Sequence, residues 1–184
     1  MADMTDTSTT DPTGAPAAAR TEALEQRQDH APAGYHSVTP FLAVRHGADA
    51  LDYYTRAFGA RVLSRMDGEN GVVHHSELLI GDSVLQVGNE FPDGGLVAPG
   101  ETRTGSYSLY VADVDAVHAA AVAAGGTAVG AVEDAFSGDR MGIVVDPFGH
   151  RWAILTRTEH LSAAEIERRA RAWMDSGAPQ ADPS

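Results

Sequence analysis

The chain has 184 residues, of which 43% are hydrophobic, and it carries a formal net charge of −13. This length accommodates one ordinary domain with tails, and no run approaches the roughly 18 consecutive apolar residues of a membrane-spanning helix. Cysteine is absent, which excludes disulfides, thiolate nucleophiles and cysteine-ligated metals. Phosphate backbones are bound mainly by lysine and arginine, so the acidic balance argues against a nucleic-acid partner. The first residues lack the basic and apolar segments of a secretory signal, and we expect a soluble, cytoplasmic protein with no membrane partner.

Residues 1–34 predict a disordered arm. They are rich in Ala, Thr, Asp, Pro and Gly and contain no aromatic residue before Tyr35. Such a composition buries too little apolar surface to offset the entropy lost on ordering. Residues 176–184 predict a disordered tail for the same reason. The expected domain covers residues 35–158, and a C-terminal helix follows over 159–175.

The first half of the domain, about residues 38–90, predicts a strand, a helix and three strands. A β-type run over 38–44 precedes Asp49, which is expected to cap a helix that ends at Gly59. Apolar residues recur at helical spacing between these two positions. The three strands that follow are expected at about 61–66, 72–80 and 83–89.

The same order of elements recurs over about residues 104–158. A strand over 106–111 is followed by a helix that Asp113 caps and that Gly125-Gly126 ends. Three more strands are expected at about 127–133, 140–145 and 150–157. A repeat of this length predicts two copies of one supersecondary unit. The sequence therefore predicts an α+β fold built from two βαβββ modules, with a final helix capped by Ser162.

The last two strands of the second module predict a tight β-hairpin. The apolar run that ends at Val145 is joined by Asp146-Pro147-Phe148-Gly149 to a strand that begins at His150. Proline presets the φ of the turn, and glycine supplies the positive φ that other residues resist. Strands joined this tightly must be antiparallel.

Four motifs resemble the PhnB-like branch of the vicinal oxygen chelate superfamily, which contains glyoxalases, bleomycin-resistance proteins and extradiol dioxygenases. In chain order they are Ala57-Phe58-Gly59-Ala60, His75-Ser76-Glu77-Leu78, Gly138-Asp139-Arg140 and Asp146 through Trp152. The resemblance covers roughly residues 38–158. It implies that the modules form an eight-stranded, cup-like half-barrel with the site on its concave face, and that the protein is a homodimer. The scaffold alone assigns no chemistry, because one fold hosts many functions.

The metal enzymes of this superfamily place one ligand on the first and the last strand of each module. The resemblance puts these four positions at Thr39, Gln86, Ser106 and Ala153. Only Gln86 has a side chain that suits a divalent ion. No metal site and no cofactor are therefore expected. The glyoxalase I and extradiol dioxygenase activities need the ion, so this set of side chains argues against both.

Strand alternation predicts which side chains face the cup. The ligand-binding candidates on this basis are Thr39, Phe41, Gln86, Ser106, Ser108, Tyr110 and Ala153. Phe136 is a further candidate that would stack on a planar ligand, although it and Tyr110 equally suit an ordinary core. Arg140 would hold an anionic or carbonyl group, but the stronger expectation is a structural ion pair. The expected partners of Arg140 are Asp139, Glu133 or Asp134.

His75 and Glu77 lie two residues apart and therefore share one face of their strand. As catalytic residues, Glu77 would be a base or a hydrogen-bond acceptor, and His75 its neighbour or a weak metal ligand. The alternative is that both face solvent at the rim or satisfy buried polar groups. Four other histidines, His36, His74, His118 and His150, are expected at the surface, although a shift of the first strand would bring His36 to the cup.

Two functions remain open on this evidence. The first is a metal-independent protein that sequesters a small aromatic or amphipathic molecule in a cup completed by dimerisation. The second is a lyase or isomerase that acts next to a carbonyl, with Glu77 or His75 moving a proton while Gln86, Ser106 or Arg140 polarises the oxygen. In a variant of the second, a divalent metal binds to His75, Glu77 and Gln86. The side chains at the four metal-ligand positions do not suit a divalent ion, and this favours the first function.

Overall fold

The computed structural model describes residues 31–32 and 34–177, and in this part of the chain it contains nine strands and three α-helices. In chain order they are β1 (Phe41–Val44), α1 (Gly47–Phe58), β2 (Arg61–Asp67), β3 (Val73–Ile80), β4 (Ser83–Asn89), β5 (Ser106–Tyr110), α2 (Val114–Ala123), β6 (Thr127–Ala128), β7 (Glu133–Asp134), β8 (Asp139–Val145), β9 (Arg151–Arg157) and α3 (Ala163–Asp175). The predicted disordered arm and tail fall almost entirely outside the described residues. None of the helices described combines the length and apolar character needed to cross a membrane.

Each predicted module forms one sheet. The strand order is β1-β4-β3-β2 in the first sheet and β5-β9-β8-β6 in the second, where β7 also pairs with β8. The first strand of each module runs parallel to the last, β1 beside β4 and β5 beside β9, and the other pairs are antiparallel. The α+β fold of two βαβββ modules is confirmed. The strand predicted over 127–133 was wrong in extent, because Gly130 adopts a φ of 81° that separates β6 from β7.

The start of α1 differs from the prediction. Asp49 lies in the first turn, and the helix begins at Gly47 without a side-chain cap from His46. Asn89 of β4 takes over this role, since its Oδ1 accepts a hydrogen bond from the backbone N–H of Gly47 at 3.2 Å. Gly59 ends α1 in the left-handed conformation, with a φ of 65°, as the sequence predicts.

The other two predicted helix caps are confirmed. Asp113 accepts a hydrogen bond from the N–H of Ala116 at 3.0 Å, and Ser162 accepts one from Glu165 at 3.3 Å. Each cap satisfies a backbone donor that has no partner within its helix.

One hydrophobic core joins the two modules. Side chains from α1, α2 and the helix-facing sides of both sheets belong to a single buried cluster. Phe58 and Tyr54 of α1 pack on Trp152 of β9, with ring centroids 4.7 and 5.6 Å apart. Tyr53 is only 1% exposed, because the region around Gly126 that follows α2 closes over its hydroxyl.

The β8–β9 hairpin has the predicted turn, with Gly149 at a φ of 95°. The buried Asp146 carboxylate accepts hydrogen bonds at 2.9 Å from the backbone N–H groups of both Phe148 and His150. The surface position expected for His150 was wrong. Its Nε2 lies 3.1 Å from the carbonyl oxygen of Ala43, so β1 of the other module covers the imidazole.

Candidate functional site

A polar row crosses the face of the first sheet that points away from α1, which we call the cup face. The strand registers place Gln86 beside both Phe41 and Glu77, and Glu77 beside Ser64. His75 shares this face with Glu77, as predicted from strand alternation, and its ring centroid lies 5.9 Å from that of Phe41. We call these five residues the Glu77 row. The first sheet thus brings together four of the predicted site residues.

Glu77 is the electrostatic centre of the row. The neighbouring hydroxyls of Tyr35 and Ser64, with a smaller contribution from His75, hold the pKa of Glu77 below its usual range. The Nε2 atom of His75 lies 3.7 Å from Oε1 of Glu77. The same contact with Glu77 raises the pKa of Tyr35, whose hydroxyl also meets Gln86. Glu77 is therefore a carboxylate at neutral pH, held by neutral donors.

Sequence reasoning missed Tyr35 and Ser64. Tyr35 precedes β1 and reaches the row only because the chain folds back across the sheet. The alternation of β2 is interrupted by a register shift between Val62 and Ser64, so the facing of Ser64 could not be counted from the sequence. The one signal for Tyr35 was its position as the first aromatic residue after the polar arm.

A cleft of about 570 Å³ lies beside the Glu77 row, between the two modules. Its walls are the segment before β1, the turn between β3 and β4, and the edge strand β5. Val38 and Tyr110 present large side chains to it and are 81% and 58% exposed. Ser106 and Ser108 line the same cleft, so three predicted ligand residues meet there. The volume falls within the roughly 300–1,000 Å³ typical of small-molecule pockets.

The cleft and the Glu77 row are connected through β4. Val84 lines the cleft, and Gln86 of the row follows two residues later on the same face of the strand. Side chains spaced in this way lie about 7 Å apart. The cleft also has a polar rim formed by His36, Asp82 and Ser83, of which the sequence pointed only to His36.

Phe136 and Arg140 lie apart from this region. Phe136 packs against Trp173 of α3, with ring centroids 5.5 Å apart, at a separate cavity of about 300 Å³. Arg140 lies on the helix-covered face, where it donates to both carboxylate oxygens of Asp115 at 2.8 Å and to Asp134 at 3.3 Å. A structural ion pair was therefore the correct expectation, but Asp115, on the first turn of α2, was missed as the main partner. The predicted partner Asp139 instead pairs with Arg157 at 2.6 Å.

The positions that the resemblance assigns to metal ligands carry a set of side chains that does not fit a divalent ion. Thr39 contacts the carbonyl of His36, and Ala153 is buried beside Ser108. The cup-face positions of the four strands are Phe41 and Ala43 in β1, Val84, Gln86 and Gly88 in β4, Ser106, Ser108 and Tyr110 in β5, and Arg151, Ala153 and Leu155 in β9. None is His, Asp or Glu, and the residues on either side of Thr39, Gln86, Ser106 and Ala153 are not His, Asp or Glu either. Over the ranges described, no three His, Asp or Glu side chains converge as metal ligands would.

The family model described as the Glyoxalase/Bleomycin resistance protein/Dioxygenase superfamily matches residues 29–154. An uncharacterized protein from Mycobacterium bovis is 35% identical over 136 residues, which cover 71% of this chain and 90% of that protein.

Solved structures share the fold. TioX from Micromonospora sp. ML1 is similar with a TM-score of 0.55 and 26% identity, over 66% of this chain and 99% of TioX. The PhnB protein from Bacillus cereus is similar with a TM-score of 0.53 and 17% identity, over 66% of this chain and 99% of the PhnB protein. TnmS3 from Streptomyces sp. CB03234, an antibiotic binding protein, is similar with a TM-score of 0.51 and 22% identity, over 66% of this chain and 96% of TnmS3. The predicted resemblance is confirmed, and the chain belongs to the glyoxalase/bleomycin resistance protein/dioxygenase superfamily.

Proposed function

We propose that this protein binds a small aromatic or amphipathic molecule in the cleft between its modules, without a metal ion and without turnover. The observation that carries the proposal is the composition of the cleft wall. Val38, Val84 and Tyr110 offer apolar and aromatic surface, and the hydroxyls of Ser106 and Ser108 lie among them. Burying such surface contributes about 25 cal/mol per Å², and a few hydroxyls are enough to orient a ligand.

Two further points support binding over metal-assisted chemistry. The cup-face side chains at the family's metal positions do not fit a divalent ion, so a ligand has to be held by this chain's own hydroxyl, amide and aromatic groups. TnmS3 shares the fold and is an antibiotic binding protein, so the scaffold is compatible with binding an organic ligand.

The proposal is tested by filling the cleft. Ser108 lies on the exposed strand β5 and faces the cleft, so Ser108→Trp inserts an indole where the ligand would lie. Titration calorimetry with naphthylmethanol should show one molecule bound per wild-type chain and at least about a tenfold loss of affinity in the variant. Thr127→Trp is the matched control, because Thr127 is exposed on β6 of the same sheet and lies away from the cleft.

Unchanged affinity in Ser108→Trp would place the bound molecule elsewhere and contradict the proposal. Failure of the wild-type protein to bind the probe at all would contradict it as well. The probe recovered after incubation should be chemically unchanged, since the proposal includes no turnover.

A second candidate function is a lyase or isomerase that uses Glu77 and His75. The distance of 3.7 Å between His75 Nε2 and Glu77 Oε1 on the cup face favours this second function. The lowered pKa of Glu77 weighs against it, because a strongly ionised carboxylate is a weak base near neutral pH. Proton exchange next to the carbonyl of hydroxyacetone in heavy water, followed by NMR, decides between the two. Exchange that is lost in Glu77→Gln would support the enzyme, and exchange no faster than in buffer supports the binding protein.

A further inference from the structure

We infer that the ligand is an organic cation, with an ammonium or guanidinium group on an apolar body, and that the carboxylate of Glu77 binds its positive end. This inference rests on the proposed function and specifies its ligand class. The apolar body would occupy the cleft, and the charged group would reach the Glu77 row.

Glu77 is a half-buried carboxylate that pairs with no arginine among the residues the structure describes. Its side chain is 27% exposed, and across the described ranges its one ion-pair contact is with His75, which is charged only when protonated. Other carboxylates of the fold pair directly with arginine, as Asp115 does with Arg140 and Asp139 with Arg157. A carboxylate held by neutral hydroxyls keeps its full negative charge and gains most from a cationic partner.

The distance from the cleft to Glu77 suits a small amphipathic amine. Gln86 lies about 7 Å along β4 from Val84, which lines the cleft, and Glu77 lies on the neighbouring strand about 4.8 Å to the side of Gln86. Val84 and Glu77 are therefore separated by about 8 Å across the pleated surface, a distance that an aromatic ring with a short aminoalkyl arm spans. Tyr35 and Val38, on the segment that crosses this end of the sheet, touch the row and the cleft respectively.

The surroundings of Glu77 also favour a cation. Phe41, beside Gln86 in the row, offers an aromatic face near the carboxylate, and cations bind such faces. The chain as a whole carries a formal net charge of −13, which raises the local concentration of cations and disfavours anionic ligands.

The test compares two probes that differ in charge and share one ring system, naphthylmethylammonium and naphthylmethanol. In calorimetric titrations, wild-type protein should bind the ammonium probe about ten- to hundredfold more tightly, the range expected for a charge-assisted hydrogen bond. Glu77→Gln removes the charge with little change in shape and should abolish this preference while leaving the affinity for naphthylmethanol within about twofold. Glu77→Asp keeps the charge and should keep the preference.

The control variant is Glu69→Gln. Glu69 is exposed in the turn between β2 and β3, so this change alters the net charge equally without touching the row. Equal binding of the two probes by wild-type protein would contradict the inference and leave the proposed function intact. Equal losses in Glu69→Gln and Glu77→Gln would contradict it too, because the preference would then come from the overall charge. Binding of neither probe would contradict the proposed function and this inference together.

Discussion

At the scale of single residues, Asp146 connects three parts of the fold. Besides the two backbone N–H groups of its turn, its carboxylate accepts a hydrogen bond from the hydroxyl of Tyr54 at 2.7 Å and one from Nε1 of Trp152 at 3.0 Å. Burial, together with the nearby Asp146 carboxylate, raises the pKa of Tyr54 well above its usual value. Tyr54 is therefore a neutral donor at neutral pH.

Replacing Asp146 should be among the most destabilising changes in the chain. Asp146→Ala leaves four donors without their acceptor, three of them buried, and we expect a loss of about 3 kcal/mol in the free energy of unfolding. Urea denaturation measures this loss. The control is Asp93→Ala in the exposed turn after β4, expected to change stability by less than about 0.5 kcal/mol. A loss in Asp146→Ala no larger than in the control would show that the Asp146 contacts contribute little.

Individual residues also show where prediction from sequence stops. Alternation alone placed His75 and Glu77 on one face, because a strand has a fixed period of two. The turn chemistry placed Asp146 at the hairpin. Its bond to Tyr54 joins residues 92 positions apart, and no local pattern encodes a contact across that separation. The burial of His150 beneath β1 was missed for the same reason.

At the scale of elements, α3 is held to the domain by charge more than by burial. None of its residues is buried. Arg169 donates to both carboxylate oxygens of Glu159 at 2.9 Å and to Glu165 at 2.7 Å. These arginine contacts lower the pKa of Glu159, and contacts from Arg168 and Arg169 lower that of Glu165 to about 2. Trp173 adds its contact with Phe136.

Acid should release α3 before the core unfolds. A carboxylate whose pKa is lower in the folded state stabilises that state above the unfolded pKa of about 4.3, and this stabilisation is lost as the pH falls through the folded value. As the pH falls below about 4.3, loss of the Arg169–Glu159 pair should therefore increase acrylamide quenching of Trp173. Trp152, the other tryptophan of the chain, is 4% exposed and should remain protected.

An arginine variant checks the same contact at neutral pH. Arg169→Ala should give the acid-like quenching of Trp173 at pH 7. Arg171→Ala removes an exposed pair with Glu167 on the same helix and should leave the quenching unchanged. Identical quenching in both variants and in wild-type protein would show that the Arg169 contacts do not position α3.

The elements were predicted well where the signal was local. The positive φ at Gly59 and the caps at Asp113 and Ser162 depend on chemistry within one turn, and all three were found. The start of α1 was placed too late because Asn89, far along the chain, takes the role of the cap. Tertiary contacts of this kind outweigh local preference.

At the scale of the whole molecule, the four sequence motifs were sufficient for the fold class but not for the arrangement of the site. Alternation assigned the faces of each strand separately. The cleft appears only when the segment before β1, the turn after β3 and the edge strand β5 come together, and each of these belongs to a different part of the chain. Residues that come together from three separate segments share no sequence period, so the sequence pattern does not predict the cleft.

The first sheet has an open edge that suits a second copy of the chain. Every residue of β2 is exposed, including Val62, Leu63 and Met66, and an exposed apolar edge strand is a site of association. The homodimer remains a prediction, and light scattering during size-exclusion chromatography tests it. The measured mass should be twice 19.3 kDa. A mass of one chain throughout the micromolar range would contradict it.

The most direct test of ligand binding is a crystal structure of the protein with naphthylmethylammonium. We expect one molecule per chain, with the naphthyl ring in the cleft between Val38 and Tyr110 and the nitrogen within hydrogen-bond distance of Glu77. A cleft without ligand, with the ring instead bound at the cavity beside Phe136 and Trp173, would contradict this expectation.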